Sequence, residues 1–347
     1  MLHSVMFYTH FSMKTESALN PLAPLRAATA RPWLARLHPA LFGMALGLLG
    51  LSGAWRRLSY SGVESATPVA GALLIVAFAM LVVLLLLWVL KLARHRDVLR
   101  QEWRHPVQGA LLALLPVSTL MAVTLLAGLW PQFRGWLLPV AVLMLAGQGV
   151  NAWHVVADLS TGKTPPELVT PALYLPTVSG AFVGAMALHT LGQHGWGTLL
   201  FGMALGAWAL LEMRILNRLF AGPLPAALRP TLGIEMAPGA VGSLTMATLW
   251  PDLPADVLMV ALGVASGPVL AVLTRWRYWR EVPFNMGFWS FSFPLAALAG
   301  ATVHAVHLGG WPVEVAVIAV ALASAVVAFL TYKSVVLTAR GNLLPAV

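Results

Sequence analysis

The sequence contains no cysteine among its 347 residues, and charged residues are scarce. Without cysteine, disulfide bonds, thiolate metal sites and cysteine nucleophiles are excluded. Soluble proteins have about 25% charged residues. Here charged residues make up 10% of the chain and hydrophobic residues 59%. This composition predicts an integral membrane protein that is surrounded mainly by the lipid bilayer.

Motifs of catalysis and cofactor binding are also missing. The chain has no Gly-rich phosphate loop, no nucleophile elbow and no HExxH sequence, so we predict neither an enzyme nor a bound cofactor. Four histidines have a spacing that could hold zinc, but no carboxylate ligand is adjacent, and we favour an interfacial role over a metal site. They are His189, His194, His304 and His307. The net charge of +9 comes largely from loop Lys and Arg, and we predict no nucleic-acid partner.

Apolar runs bounded by charge, Pro or Gly predict an all-α protein with ten transmembrane helices. Their ranges are 38–56, 69–90, 106–129, 136–157, 171–191, 196–216, 231–250, 256–274, 284–307 and 312–337. Ten spans put both termini on one side of the membrane, and eighteen of the 21 Lys and Arg residues fall on that side. Because cytoplasmic loops are rich in Lys and Arg, both termini are predicted to be cytoplasmic. We predict a disordered tail at 1–35, a transmembrane domain at 36–340 and a short tail at 341–347.

Prolines recur inside the odd-numbered spans. The intervals between them are 60, 62 and 56 residues, and the prolines are Pro116, Pro176, Pro238 and Pro294. A proline inside a helix leaves a backbone carbonyl without its donor, and lipid cannot satisfy that carbonyl. We therefore predict an inner ring of five odd-numbered spans around one axis, with the even-numbered spans outside. Ordinary kinked helices that enclose no passage are the alternative.

The odd-numbered spans also carry small and hydroxyl residues that could line a narrow passage. The candidates are Gly43, Gly47, Ser118, Thr119, Thr177, Ser179, Gly180, Gly239 and Ser290. Small residues equally allow close packing between membrane helices, so the alternative for each is a packing role. A passage lined in this way would have no fixed cation at mid-membrane and would hold an anion loosely.

Ionisable residues inside the predicted spans are few: His154, Asp158, Glu212 and Glu235. Such residues are functional candidates, and a proton relay is one possibility. Because all four lie toward the cytoplasmic span ends, we favour pairing with loop arginines such as Arg214 or Arg218.

Three segments resemble a known family: TPALYLPTV at 170–178, LGIEMAP at 232–238 and PFNMGFWSFSFP at 283–294. From about His38 to Leu337 the chain resembles the tellurite-resistance/dicarboxylate transporter family of bacteria and, more distantly, the slow anion channels of plant guard cells. The resemblance implies a homotrimer in which each subunit has five helical hairpins, with quasi-fivefold symmetry around its own pore. It also implies a phenylalanine that blocks the pore, and the matching residue is Phe293.

The function implied by the resemblance is an anion channel in a bacterial cytoplasmic membrane, gated by Phe293 and selective for small anions. The same family includes proton-coupled carriers, so a carrier or exporter of C4-dicarboxylates, sulfite or tellurite-like oxyanions is the alternative. Glu235 would put an acid near the inner mouth of an anion pore. A third possibility is a membrane scaffold that binds partners through its basic loops.

Overall fold

The computed structural model describes residues 32–344, and every regular element in this range is a helix. The rest of the predicted tails, at 1–31 and 345–347, lies outside the described residues. Leu34 and Ala35 are buried, so the packed part of the chain begins before the predicted domain boundary at residue 36.

Thirteen α-helices follow one another along the described chain. They are α1 Phe42–Tyr60, α2 Ala66–Arg94, α3 Arg96–Arg104, α4 Pro106–Leu111, α5 Leu114–Leu129, α6 Arg134–Ser160, α7 Gly180–Thr190, α8 His194–Phe220, α9 Ala237–Leu249, α10 Ala255–Thr274, α11 Trp276–Arg280, α12 Ser292–Gly309 and α13 Val313–Ala339. Short 3-10 or π-helical segments precede α1, α7, α9 and α12.

Eight helical stretches in residues 32–344 are long and apolar enough to cross a membrane. They are Ala66–Arg94, Pro106–Leu129, Pro131–Ser160, Pro171–Thr190, His194–Phe220, Ala255–Thr274, Met286–Gly309 and Val313–Ala339. A multi-pass membrane protein is therefore confirmed. The predicted spans 38–56 and 231–250 coincide with α1 and α9, which are not among the eight, so the count of ten stays a prediction.

Five helices form a closed ring. Helix α1 packs on α5, α5 on α7, α7 on α9, α9 on α12, and α12 again on α1. The membrane-length stretches that contain α5, α7 and α12 are at least two-thirds buried, whereas those formed by the other five are less than one-third buried. The ring is therefore the core of the molecule.

Five outer helices surround the ring, and each packs on two neighbouring ring helices. Helix α2 lies against α1 and α5, α6 against α5 and α7, α8 against α7 and α9, α10 against α9 and α12, and α13 against α12 and α1. Each exposes large apolar side chains on its other face, for example Ile75, Leu143, Leu210, Val260 and Leu322. Such faces are stable in lipid and unfavourable in water.

Breaks in the ring helices fall near the four predicted prolines. Pro116, Pro238 and Pro294 each stand within the first three residues of an α-helix that follows an irregular segment, and Pro176 lies inside the π-helix Leu175–Ser179. At this π-helix the outer helix α6 supplies a donor to two buried carbonyls. Gln148 Nε2 donates to Leu175 O at 3.0 Å and to Pro176 O at 2.9 Å. The protein thus supplies the donors that lipid cannot.

Candidate functional site

Two cavities lie inside the ring. The large cavity has a volume of about 690 Å³ and is lined near the starts of the five ring helices. Its mouth includes His38, His105 and Asn285, and the C-terminal residues Asn342 and Leu343 also line it. The small cavity has a volume of about 230 Å³ and is lined by later residues of the same helices, such as Tyr60 and Thr248.

Every ring helix lines both cavities through residues seven positions apart. The pairs are Gly43 and Gly50, Leu114 and Met121, Ser179 and Met186, Ala237 and Leu244, and Phe293 and Gly300. Seven residues are about two helical turns, or roughly 10.5 Å, and return to nearly the same helix face. The two cavities therefore follow one another along a common axis, on the inward faces of the ring.

Phe293 lies between the two cavities. Its side chain is 5% exposed and lines the large cavity. A methyl group added at Gly50, which lines the small cavity, would come within 2.7 Å of Phe293 Cδ2. Ala296, one turn beyond Phe293 on α12, belongs to the small cavity. The ring of Phe293 thus packs against α1 at the level where one cavity gives way to the other.

Of the predicted lining residues, Gly43, Ser179 and Ser290 line the large cavity, together with Pro294. The Ser179 hydroxyl is buried and makes no hydrogen bond to another described residue. The Ser290 hydroxyl donates to Pro230 O at 2.6 Å, which joins the 3-10 segment before α12 to the segment before α9.

The other predicted lining residues make packing contacts or local hydrogen bonds. The hydroxyls of Ser118 and Thr119 both donate to Leu115 O, and that of Thr177 donates to Leu173 O. Three glycines allow close approach by a neighbouring helix, because an added methyl group would overlap another residue. The overlaps are Gly47 with Ser292, Gly180 with Gln148, and Gly239 with Ala265.

Two of the capping residues at the mouth of the large cavity are histidines rather than the usual Ser or Asp, and the third is Asn285, whose Oδ1 accepts the Gly287 N–H. His38 Nδ1 accepts the Ala40 N–H, and His105 Nδ1 accepts the N–H groups of Val107 and Gln108. A neutral ring whose Nδ1 is an acceptor carries its proton on Nε2. Each histidine cap therefore leaves one N–H donor at the mouth.

Among the described residues, Lys, Arg, Asp or Glu side chains line only the small one of the two cavities. None of the described residues that line the large cavity is Asp, Glu, Lys or Arg. The small cavity has two arginines among its lining residues, Arg56 and Arg57, and no acid. Sequence reasoning missed this site because the first span was predicted to end at residue 56. The helix continues to Tyr60, and Arg57 lies seven residues after Gly50, on the same face.

The embedded acids pair differently from the favoured prediction. Glu212 accepts hydrogen bonds from Tyr174 Oη at 2.5 Å and Trp208 Nε1 at 2.8 Å. The ion pairs found within residues 32–344 do not join it to Arg214 or Arg218. For Glu212 the predicted pairing with Arg214 or Arg218 was therefore wrong, because aromatic donors on α8 and on the segment before α7 are closer.

The remaining ionisable groups differ in their surroundings. His154 and Asp158 form an i, i+4 pair at 3.6 Å. Glu235 is 8% exposed, and its buried Oε2 has no hydrogen-bond partner among the described residues.

Two of the four histidines considered for zinc contact each other, His189 and His194, with Nδ1 atoms 3.1 Å apart. His304 instead contacts Pro251 O. No group of three or more His, Cys, Asp or Glu within residues 32–344 is placed to hold a metal ion.

A helical membrane protein with two cavities in line inside a ring of helices belongs to the class of channels and carriers. Residues 36–337 match the family described as SLAC1, voltage-dependent anion channel, and the chain belongs to that family. The resemblance predicted from the sequence is confirmed.

Three relatives illustrate the likeness. A tellurite resistance protein TehA homolog of Haemophilus influenzae is 29% identical over 272 residues, which cover 78% of this chain and 82% of that protein. The S-type anion channel SLAH2 of Arabidopsis thaliana is 22% identical over 285 residues, or 78% of this chain and 53% of the relative. The guard cell S-type anion channel SLAC1 of the same plant is 22% identical over 300 residues, or 81% and 52%. The chain thus spans about half the length of these plant relatives.

Proposed function

We propose that this protein is an anion channel in which small anions move between the large and the small cavity past Phe293. In this proposal all ten predicted spans cross a bacterial cytoplasmic membrane, as five hairpins with quasi-fivefold symmetry. Both termini and the large cavity face the cytoplasm, and three such subunits assemble, each with its own pore.

One observation supports the proposal: two cavities lie on the same faces of five ring helices, and Phe293, which lines the large cavity, packs against Gly50, which lines the small one. An aromatic ring at an apolar constriction excludes hydrated ions, and a rotamer change would remove the block. Gly50 makes the tight fit possible, because any larger residue there would collide with the ring.

The charge distribution favours anions over cations. Acids are missing from the described residues that line the two cavities, and the charged residues that line them are Arg56 and Arg57. The Nε2–H groups of His38 and His105 add donors at the mouth of the large cavity. An anion would meet N–H donors at the mouth of the large cavity, neutral surfaces beyond them and the two arginines in the small cavity, which suits rapid passage.

The experiment is a flux assay on purified protein in liposomes, with chloride, nitrate, malate and sulfite tested separately. We expect low flux from the native protein and a rise of at least tenfold in Phe293→Ala, since the block is removed. Phe288→Ala is the matched control, because that ring lies on the same segment but stacks on Phe284 at a centroid distance of 5.6 Å. Equal flux from native protein and Phe293→Ala would refute the gate, and no flux of any anion from either would favour a non-transporting scaffold.

A second function, a proton-coupled carrier, is favoured by Glu212 and Glu235. These acids interact with one another electrostatically, and Glu235 has an unpartnered buried oxygen. Buried acids in membrane helices are common in proton relays. A carrier would give saturable uptake that collapses with the proton gradient and is lost in Glu235→Gln, whereas a channel would give currents that stay linear without the gradient.

A further inference from the structure

The small cavity contains an arginine whose charge is not balanced by any acid among the described residues that line the cavity. Arg57 lies in the last turn of α1. Its guanidinium donates through Nη2 to Thr248 Oγ1 at 2.7 Å, and this is the one hydrogen bond that its side chain makes to another described residue. None of the ion pairs within residues 32–344 includes it. Partly buried charges usually have a partner of opposite sign.

The position of Arg57 places its side chain across the ring. Thr248 belongs to α9, which is not adjacent to α1 in the ring. Between them lies α12, where Gly300 leaves room for the arginine stem: a methyl group added at Gly300 would lie 3.6 Å from Arg57 Cδ. The guanidinium is therefore anchored at one nitrogen over the small cavity, beyond the level of Phe293.

Apart from the hydroxyl of the exposed Tyr60, the donors that remain among the described residues lining this cavity belong to the arginines. A guanidinium has five N–H donors in a planar fork, and Arg57 uses one of them on Thr248. The hydroxyls of Thr124, Thr190 and Thr248, which also line the cavity, each donate to the carbonyl four residues earlier. The threonines therefore offer oxygen lone pairs, and Arg57, with Arg56 beside it, supplies the donors.

We propose that Arg57 is the main ligand of an anion-binding site in the small cavity, which holds one small anion between Phe293 and the outside of the membrane. The planar fork fits an ion with two adjacent oxygens, such as nitrate or a carboxylate, better than it fits a halide. This inference rests on the proposed function, but it concerns binding and is tested without transport.

The test measures thermal unfolding of the full-length protein in detergent while nitrate or chloride replaces fluoride, a strongly hydrated ion without adjacent oxygens, at constant ionic strength. A ligand that binds only the folded state raises the unfolding temperature, and at a given concentration a more tightly bound ligand raises it more. We expect the native protein to gain stability with nitrate and Arg57→Gln to bind it about tenfold more weakly, as expected for the loss of a charge-assisted hydrogen bond. Arg57→Lys is expected to bind chloride normally but to lose its preference for nitrate.

Two further variants test whether the loss of nitrate binding is specific to the charge of Arg57. Arg134→Gln removes another arginine of the predicted outer side, one whose Nε donates to Ala127 O, and it should bind nitrate as the native protein does. Thr248→Val frees the guanidinium without removing its charge, and should weaken binding less than Arg57→Gln does. Equal nitrate stabilisation in native protein, Arg57→Gln and Thr248→Val would overturn the site. The result is independent of flux: a loss of nitrate binding in Arg57→Gln without transport by Phe293→Ala would support the site and reject the channel.

Discussion

Replacing Gly50 by Ala should open the proposed gate without touching Phe293. The added methyl group would lie 2.7 Å from Phe293 Cδ2 and 3.2 Å from Cε2, whereas carbon atoms in good contact are about 3.5–4.0 Å apart. The phenyl ring would have to move by about 1 Å, or α1 would have to shift away from α12.

The size of the effect follows from the cost of overpacking, which is typically about 1–3 kcal/mol. If the added methyl group destabilises only the closed state of the Phe293 ring, the equilibrium between the closed and the open state shifts by the same free energy. That corresponds to a roughly 5- to 150-fold increase in the open population. In Phe293→Ala the closest collision partner is missing and only the contact with Ala296 Cβ at 3.3 Å remains, so the second substitution should add little.

Anion flux into liposomes, measured for both single variants and the double variant, is the assay. Gly53→Ala is the matched control, because it adds a methyl group to the same cavity in ordinary contact, 3.4 Å from Leu125 Cδ2. It should leave flux near the native value. Two results would contradict the predicted collision. In the first, Gly50→Ala is less stable but its anion flux stays as low as that of the native protein. In the second, the increases in flux from Gly50→Ala and Phe293→Ala simply add in the double variant.

Two further predictions concern the scaffold. Gln148→Leu removes two side-chain hydrogen bonds, to Leu175 O and Pro176 O, while Leu175 O keeps the N–H of Gly180. Each lost bond costs about 0.5–1.5 kcal/mol, so the unfolding temperature in detergent should fall; an unchanged temperature would mean that the π-helix does not depend on α6. In this cysteine-free chain, Glu64→Cys should react with a membrane-impermeant maleimide on intact cells and Arg100→Cys only after lysis, whereas the reverse result would invert the predicted orientation.

Much of the architecture could be predicted from the sequence because lipid restricts the options. Apolar stretches gave most helices within a few residues, for example 256–274 against Ala255–Thr274. Long helices with an unbroken apolar surface fit the lipid-facing layer, and proline-containing helices need protein or water around their free carbonyls. The ring prolines stand at helix breaks, near the starts of buried helices. The outer helices α6 and α10 each keep a proline, Pro139 and Pro268, inside a continuous helix, so the break rather than the proline alone marks the ring.

The candidate site was harder to predict, because small residues serve packing and lining equally well. Gly43 lines the large cavity while Gly180 and Gly239 touch outer helices, and only the rotation of each helix separates these cases. Arg57 was assigned to a loop because the span was ended at the first charge. The seven-residue spacing between Gly50 and Arg57 indicates that both residues lie on the same face of a helix that continues past residue 56.

The central claim is that a continuous passage joins the two cavities and is closed by one side chain. Because the chain lacks cysteine, Ser179→Cys places a single thiol on the wall of the large cavity, and a small anionic methanethiosulfonate can be added from the side of the small cavity alone. We expect no labelling of Ser179→Cys in the native background and rapid labelling when Phe293→Ala is also present. Labelling in neither protein would contradict a continuous passage, and equal labelling in both would contradict the block at Phe293.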